Sequence, residues 1–523
     1  MLSLAFGLQF TDLYARDGLL RIDQAFLEHL AAADPSLRDT LRGARQAPAA
    51  LARKAESELL IALASHLEDF IARLFGIESE ARSLAATHHA LAPLYTVKRL
   101  FVQRFALTKI KEADLAGFDP EATRTSLFGT DFSELGFAHQ VLAWQQDETA
   151  NAAQLDLAAR YAAWAAGTAA GRALHGQGVL FKAPKKLDHQ RLVPLVTEET
   201  LGFSRHSLEH TRRREGFALT DEGTDLAGAL DEANYCIWCH EQGRDSCSSG
   251  LREKAAKGAP PDSAPVRKSP FGVTLAGCPL EEKISEFHLV KTRGEPLAAL
   301  AMIVVDNPMA AATGHRICND CMKSCIYQKQ DPVNIPQAET RTLKDVLELP
   351  WGFEIYSLLT RWNPLNIHRP VPLPDSGRKV LVVGLGPAGF TLAHHLMNDG
   401  HTVLGIDGLK IEPLEPELSG VGGAGRVPFA PVHRIEDLRE PLDARVMAGF
   451  GGVAEYGITV RWDKNFLKLV RLLVERREQF ATPRRGRGED ERAHSPDQFA
   501  CSFSTRRTSP LMRARVTRER LYW

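Results

Sequence analysis

The 523-residue chain reads as a multidomain protein. It divides into an all-α N-terminal region, an α-helical cysteine-rich domain, an incomplete α/β Rossmann-like domain and a disordered C-terminal tail. Three observations predict this class. Apolar residues recur three or four apart through much of the first 225 residues, the spacing of helix faces. Seven of the eight cysteines fall between residues 236 and 325. A strand-like apolar run meets the glycine fingerprint Gly384-Leu-Gly386-Pro-Ala-Gly389 and then a helical stretch. Boundaries are placed at 1–225, 230–350, 376–480 and 481–523.

Length suits three or four domains at roughly 150 residues each. With 44% hydrophobic and 25% charged residues, the chain has the composition of a soluble protein with real cores. A formal net charge of −1 gives no bulk electrostatic case for nucleic acid or membrane. That balance hides an asymmetry: residues 484–523 carry ten Arg against five acids, leaving −6 on the rest. No apolar run is long enough to span a bilayer. Residues Met1 to Phe10 lack a basic region and a small-residue cleavage site, so no signal peptide is expected. Cysteines clustered rather than spread in pairs fit a reducing compartment, and the cytoplasm is the expected location.

In the N-terminal region, Leu59, Leu60, Leu63, Leu67, Ile71 and Leu74 predict a helix within Leu51 to Ile77. Further helical stretches are expected from Tyr95 to Leu107 and from Phe137 to Leu174. The region shows no chemistry. His88-His89 reads as a helix-surface or partly buried pair, and Lys185-Lys186 and Arg212-Arg213-Arg214 as solvated charge runs. Between Gly250 and Pro270 a Lys/Pro/Ser/Gly/Ala stretch reads as a flexible insertion. Pro279 is expected to open a helix with Leu280, Ile284 and Phe287 on one face, and a second helix covers Pro296 to Val305. A further helical stretch from Thr342 to Leu359 leads to a Pro-rich linker between Pro364 and Pro374.

Lys379–Val383 is the kind of short apolar strand that is buried in a parallel sheet. A helix follows from Phe390 to Met397, then a second strand, Thr402–Ile406, ending at Asp407. Each part has a physical role in binding a dinucleotide. Gly384 permits the tight turn, Gly386 lets backbone approach a pyrophosphate, and Gly389 allows helix and strand to pack. Pro387 and Ala388 lie within the fingerprint, and the helix N-terminus after it offers unpaired N–H groups to phosphate. Asp407 stands close to the roughly twenty-residue spacing that places a carboxylate on ribose hydroxyls. Gly420-Val-Gly422-Gly-Ala-Gly425 has the same pattern but follows no strand and reads as a flexible loop. The last forty residues have no period. They read as disordered, or as the product of a changed reading frame near Thr482, and neither they nor Cys501 is given a role.

The cysteine run is Cys236-x2-Cys239-x7-Cys247, then Cys278-Pro279, then Cys318-x2-Cys321-x3-Cys325. Pairs two residues apart let sulfurs converge on one site, and so many in a compact stretch fit iron–sulfur clusters. Two 4Fe–4S clusters need eight ligands, so one would take an oxygen or nitrogen donor beside the seven thiols. A zinc site built from the two C-x2-C pairs would span 78 residues and orphan three cysteines. Disulfides conflict with the expected compartment, and metal-free redox thiols remain open.

Several segments then resemble, in combination, the N-terminal cluster domain of the glutamate synthase small subunit and dihydropyrimidine dehydrogenase. They are Cys236-Ile-Trp-Cys239, Gly277-Cys-Pro-Leu280 with Ile284-Ser-Glu-Phe287, Asp306-Asn-Pro308, Gly314-His-Arg-Ile-Cys318 and Val333-Asn-Ile335. The likeness continues through Gly451-Gly452, Glu455-Tyr-Gly-Ile458, Arg461 and Lys464, and covers about residues 230–475. It implies an α-helical Fe–S domain with two crossed clusters. Cys236, Cys239, Cys247 and Cys325 would hold one. Cys278, Cys318 and Cys321 would hold the other, completed by Gln337 or Glu339, between which the register does not choose. The roughly thirty residues between Cys247 and Cys278, and the tight Cys318-x2-Cys321, depart from the family pattern. The resemblance also implies an FAD-binding domain using Gly384, Gly386, Pro387, Ala388, Gly389, Asp407, Gly451 and Gly452. In that family NAD(P)H reduces the flavin, and electrons leave through the clusters to an accepting protein or domain. No nicotinamide site is visible here, and NADH is not distinguished from NADPH. The expected function is therefore an FAD- and iron–sulfur-dependent oxidoreductase module, with no side chain assigned as a catalytic acid or base. The alternative is a truncated, inactive or non-enzymatic Fe–S scaffold with an incomplete nucleotide site. Oligomeric state is left open.

Overall fold

In a computed structural model, residues 2–209, 211, 223–258, 263–314, 318–407, 414–423, 425–438 and 466–482 are described. The expected sites Gly451 and Gly452, the segment through Lys464, His315–Ile317, Arg212–Arg214 and the tail from 483 onward lie outside them.

Helices dominate. Helices α1 (Arg16–Ala33), α2 (Pro35–Gln46), α3 (Arg53–Phe75) and α4 (Glu78–Ala90) open the chain. The Asp34 carboxylate accepts the Leu37 N–H at 2.9 Å and caps α2, with Pro35 in its first turn. Helix α3 buries the expected stripe and ends at Gly76 in the left-handed region (φ 66°). Helix α5 (Ala92–Val97) runs into a π-helical segment, Lys98–Ala106, which buries Lys98 against Asp231 at 2.6 Å. Helix α6 (Pro120–Phe128) follows. The single stretch expected over 137–174 is three helices: α7 (Glu134–Trp144), α8 (Ala152–Gly167) and α9 (Ala169–His175). Thr168 breaks the last pair by taking the Gly171 N–H on its hydroxyl at 3.0 Å.

The helical reading to residue 225 is corrected beyond His175. Strands β1 (Leu195–Thr200) and β2 (Phe203–Leu208) form an antiparallel hairpin. Leu201 and Gly202 both have positive φ, 44° and 87°, as a two-residue turn matched to strand twist requires.

Helix α10 (Leu226–Tyr235) leads into the cysteines. It is followed by α11 (Ile284–Thr292), α12 (Pro296–Asp306), α13 (Ile335–Leu347) and α14 (Gly352–Leu359). Pro279 does not open a helix. Cys278–Glu281 is a turn closed by the Glu281 N–H on the Cys278 carbonyl (3.0 Å), with Glu281 at φ 53°, and α11 starts five residues later. The stretch expected over 342–359 is split by Pro350 and by Trp351 at φ 61°.

Strand β3 (Lys379–Val383), helix α15 (Pro387–Asn398) and strand β4 (Thr402–Ile406) form a parallel β–α–β unit. Helix α16 (Phe466–Glu475) leads to β7 (Phe480–Ala481), which lies parallel to β4, giving the order β3-β4-β7. Strand β3 is an edge and not fully buried: Leu381 and Val383 are exposed on the face that no described helix covers. Gly420–Gly425, expected to be a flexible loop, holds the small hairpin β5 (Val421–Gly422) and β6 (Gly425–Arg426).

One apolar core joins α1–α4 to the cysteine-rich helices and the β–α–β unit; a second gathers residues 94–181 with Leu230. Polar pins cross the first core. Trp362 donates Nε1–H to Asp23 (3.0 Å), an acid also held by Arg45. Buried Glu354 accepts from Tyr14 (2.6 Å), Arg476 (2.8 Å) and the Val432 N–H (2.8 Å). Arg476 also donates to the Leu418 and Ala430 carbonyls, so the ion pair is fully hydrogen-bonded. Removing one partner strands a buried charge. Arg476→Met should cost about 3–5 kcal/mol by urea unfolding, and a loss below about 1 kcal/mol would contradict this reading.

Glu68 on α3 accepts the Ala298 N–H at 2.8 Å and caps α12 from outside. Burial raises its pKa to about 8. The folded protein thus keeps a proton that the unfolded chain has lost, so this stabilisation is present at low pH. It disappears as pH rises from the ordinary Glu range through about 8. Glu68→Gln keeps an acceptor and should flatten that decline in a pH series of denaturation midpoints.

Candidate functional site

The backbone around the cysteines is built to fold back on itself. Helix α10 ends at Tyr235, and Cys236 follows directly. Trp238 sits at φ 51°, turning the chain so that Cys239 begins a 3-10 turn. Asp245 then accepts the N–H groups of Cys247 (3.0 Å), Ser248 (3.2 Å) and Ser285 (3.3 Å), tying the Cys247 turn to the start of α11. Burial raises its pKa to about 6.

The insertion expected to be flexible is paired along its two arms. Arg267 donates its N–H to Leu251 (2.7 Å), Glu253 to Pro265 (3.0 Å) and Leu275 to Arg267 (2.9 Å), while Leu251 donates to Leu275 (2.9 Å). The loop therefore returns to its origin, and the Cys278 N–H donates to the Cys247 carbonyl at 2.7 Å. Gly277 makes this approach possible. Its φ is 88°, and a Cβ there would lie 2.5 Å from Gly250 N and Ser248 O. Its N–H is taken by Ser324 Oγ (2.9 Å), on the turn before Cys325.

The seven thiols are free and fall into two sets. Cys236, Cys239, Cys247 and Cys325 line one small cavity with Asp245, His288 and Tyr327. A hydrogen bond between Cys247 and Cys325 holds Cys325 down to about 7 and pushes Cys247 up. Cys278, Cys318 and Cys321 make the second set, beside the carboxyls of Glu282 and Glu339. Burial pushes the other thiols up, Cys239 to about 12. Among the described residues, no group of three or more His, Cys, Asp or Glu converges closely enough to hold a single metal ion.

Glu339 and Gln337 both sit on the first turns of α13 and are buried. Two residues apart, they do not share a face. Glu339 stands beside Cys278 and Cys321 and accepts the Asn307 amide at 2.9 Å. Burial raises it to about 7. The Gln337 Oε1 has no hydrogen-bond partner.

Several site residues escaped the sequence reading. His288 is fully buried in the first cavity, neither ring nitrogen has a partner, and burial lowers it to about 3. Its neighbours Phe287 and Leu289 and the buried Ile284 and Val290 of the same helix read as a core face, which gives no sign of a ligand. Glu282, four residues past Cys278, is a signal that spacing could have offered. Tyr235 stacks on Tyr327 at 4.4 Å and so joins the start of the cysteine segment to its end.

At the glycine fingerprint, Gly384 has φ 94° and donates its N–H to Ile406 (2.7 Å). Gly386 is the N-cap of α15 with no side-chain cap, and Pro387 and Ala388 start the helix. A Cβ on Gly389 would collide with the Gly384 carbonyl, so helix and turn close only around glycine. Asp407 at the end of β4 turns back to accept the Leu385 N–H at 2.6 Å.

Exposure differs sharply among the thiols: Cys318 is exposed, whereas Cys247, Cys321 and Cys325 are buried. Brief alkylation of metal-free protein should modify Cys318 before those three, as read by peptide mass spectrometry. Equal labelling of all four would contradict the packing.

Comparison with known proteins adds relatives. The family described as RP005 N-terminal alpha-helical domain matches residues 4–76, the segment of α1–α3. An uncharacterized protein of Rickettsia prowazekii, RP006, is 55% identical over 172 residues, covering 33% of this chain and 23% of that protein. The uncharacterized protein RP005 of the same organism is 33% identical over 304 residues, 56% of this chain and 99% of RP005. The glutamate synthase (NADPH) small chain of Bacillus subtilis is 35% identical over 130 residues, 24% of this chain and 23% of that protein. The chain thus spans less than a quarter of RP006 and of that small chain, but nearly all of RP005. No solved structure matches it. On the full-length match to RP005, with its N-terminal helical domain in place, the chain belongs to the RP005 family.

Proposed function

We propose that this protein is an FAD- and iron–sulfur-dependent oxidoreductase module related to the glutamate synthase small chain. It would carry electrons from NAD(P)H through flavin and two 4Fe–4S clusters to a partner protein or domain. The observation that carries this reading is the sorting of seven thiols into a set of four and a set of three beside Glu339.

The donor chemistry fits. Cys236, Cys239, Cys247 and Cys325 would hold one cluster, and Cys278, Cys318, Cys321 and Glu339 the other. Glu339 is preferred to Gln337 because its carboxyl interacts electrostatically with Cys278 and Cys321. Thiols pushed up by burial stay protonated and inert until a cation lowers their pKa, the behaviour of sites built for metal. Spreading seven thiols over two sets also suits clusters better than one zinc ion, which draws its ligands to about 2.3 Å. Bound clusters would supply one-electron transfer, and FAD would supply exchange between two-electron and one-electron chemistry.

The chain's own part is binding and orientation. The order β3-β4-β7, with α15 crossing between the first two strands, matches one half of a dinucleotide-binding sheet. The uncapped N-terminus of α15 offers backbone N–H groups to a pyrophosphate. Asp407, at the mouth of the same turn, would exchange the Leu385 N–H for ribose hydroxyls. Gly451 and Gly452 are assigned to the flavin on sequence resemblance.

A second reading, a cluster-carrying scaffold without flavin, draws on the bare face of β3, where Leu381 and Val383 stand exposed. Anaerobic purification separates the two. The proposal expects about eight iron and eight sulfide per chain with one FAD, and Gly386→Val should lose flavin while keeping iron. Iron without flavin would favour the scaffold. Zinc without iron or sulfide would end both.

A further inference from the structure

A second polar cavity lies away from the cysteines, where α12, the end of α14, the 363–372 loop and the last turns of α15 meet. It encloses about 60 Å³ and is lined by Arg361, Asn363, Asn366, Arg369, His394 and Asn398, among others. The site does not depend on the functional reading above. His394 is eight residues along α15 from Gly386, so at about 1.5 Å per residue the cavity sits roughly 12 Å from the glycine turn.

Two buried donors there lack a well-formed hydrogen bond. Arg361 is 6% exposed, with its ring-side face 4.1 Å from the Tyr14 ring centre. Its Nε donates to the Ser357 carbonyl (3.1 Å) and one Nη to Ser357 Oγ (3.0 Å); Nη1 makes no hydrogen bond of full geometry, with the Tyr14 hydroxyl interacting with the same guanidinium. His394 is fully buried. Arg477 donates to Asn398 Oδ1 (2.7 Å), which fixes the Asn398 amide with its nitrogen toward His394. Asn398 Nδ2 therefore donates to His394 Nε2 (3.1 Å), and the ring proton must sit on Nδ1. That Nδ1 makes no hydrogen bond of full geometry, and the Thr360 carbonyl beside the ring is an acceptor that interacts with it only weakly.

The cavity lining carries positive charge, part of which is already paired. Arg369 has its own carboxylate in Asp399. The acid that Arg361 feels, Glu354, is already held by Arg476 and Tyr14. The partners of Arg477 are amide oxygens of Asn398 and Gln479. Burial works against protonation of both Arg361 and Arg477. A buried guanidinium with an open N–H is costly unless an anion meets it.

We propose that this cavity binds a small tetrahedral oxyanion, accepting from Arg361 Nη1 and His394 Nδ1, at the seam between the cysteine-rich helices and the β–α–β unit. A cavity of this size holds several waters or one such ion. The ion is either free phosphate or the phosphate of a larger metabolite. Bound there, it would bridge α14 to α15 through two charge-assisted or neutral hydrogen bonds.

Titration calorimetry of the full chain, at constant ionic strength, tests this with inorganic phosphate, with AMP and with chloride as the control. Saturable one-to-one binding of phosphate supports a free ion; binding of AMP alone supports a phosphate carried on a larger molecule. His394→Phe, which fills the same space without a donor, should weaken that binding about tenfold or more. Arg361→Met should abolish it, and where that variant fails to fold the His394 variant decides. No saturable binding of either probe up to about 10 mM overturns the proposal. Unchanged binding in folded His394→Phe overturns it as well.

Discussion

One backbone hydrogen bond organises the centre of this molecule: the Cys278 N–H on the Cys247 carbonyl. Thirty residues of chain leave and return so that these two cysteines become neighbours in space. The insertion closes on itself through pairing at its base, where Leu251, Arg267 and Leu275 exchange backbone bonds. Loop-closure entropy grows only slowly with length, so such an excursion is cheap when its ends are held. The glycine at 277 is the condition for this closure, because any side chain would fill the gap that the Ser248 and Gly250 backbone must occupy. Everything proposed for the thiols rests on that junction, since it places Cys247 in one set and Cys278 in the other.

The surroundings explain why the site needs so many helices. The first core runs continuously from Leu4 through α3, the cysteine-rich helices and α16. Buried polar pins such as Trp362–Asp23 and the Tyr14–Glu354–Arg476 cluster set how these helices meet. Inside, burial shifts the carboxyls and all the thiols but Cys325 toward their neutral forms. Asp245, Glu282, Asp306 and Glu339 are all raised by desolvation, and each lies close to a cysteine turn or to another of these acids. A neutral acid next to a neutral thiol is tolerable in a low-dielectric interior; the same groups ionised would demand a cation.

Much of this was legible in the sequence, and the misses have physical causes. The helix over 51–77, the strands 379–383 and 402–406 and the helix between them follow from apolar period and glycine chemistry, which are local signals. The hairpin at 195–208 leaves little local trace because its strands are almost wholly exposed and carry no apolar alternation, although Gly202 is a turn residue. Pro279 misled because proline favours a helix's first turn and a β-turn equally well. Pairing inside the 250–275 insertion joins residues as far as twenty-four apart, as between Leu251 and Leu275, which no local pattern records. The electrostatic coupling of Glu339 to Cys278 and Cys321, and the burial of His288 among the other thiols, are tertiary facts of the same kind. Gln337 and Glu339 both lie buried at the start of α13, and only Glu339 is electrostatically coupled to Cys278 and Cys321.

The central claim is that the thiols work as two separate sets. Electron paramagnetic resonance of reduced, iron-loaded protein addresses it most directly when recorded on two variants, Cys236→Ser/Cys239→Ser and Cys278→Ser/Cys321→Ser. The account predicts that each variant loses one cluster signal and keeps the other, with the losses complementary. Loss of all signal in either variant, or the same residual signal in both, would contradict it.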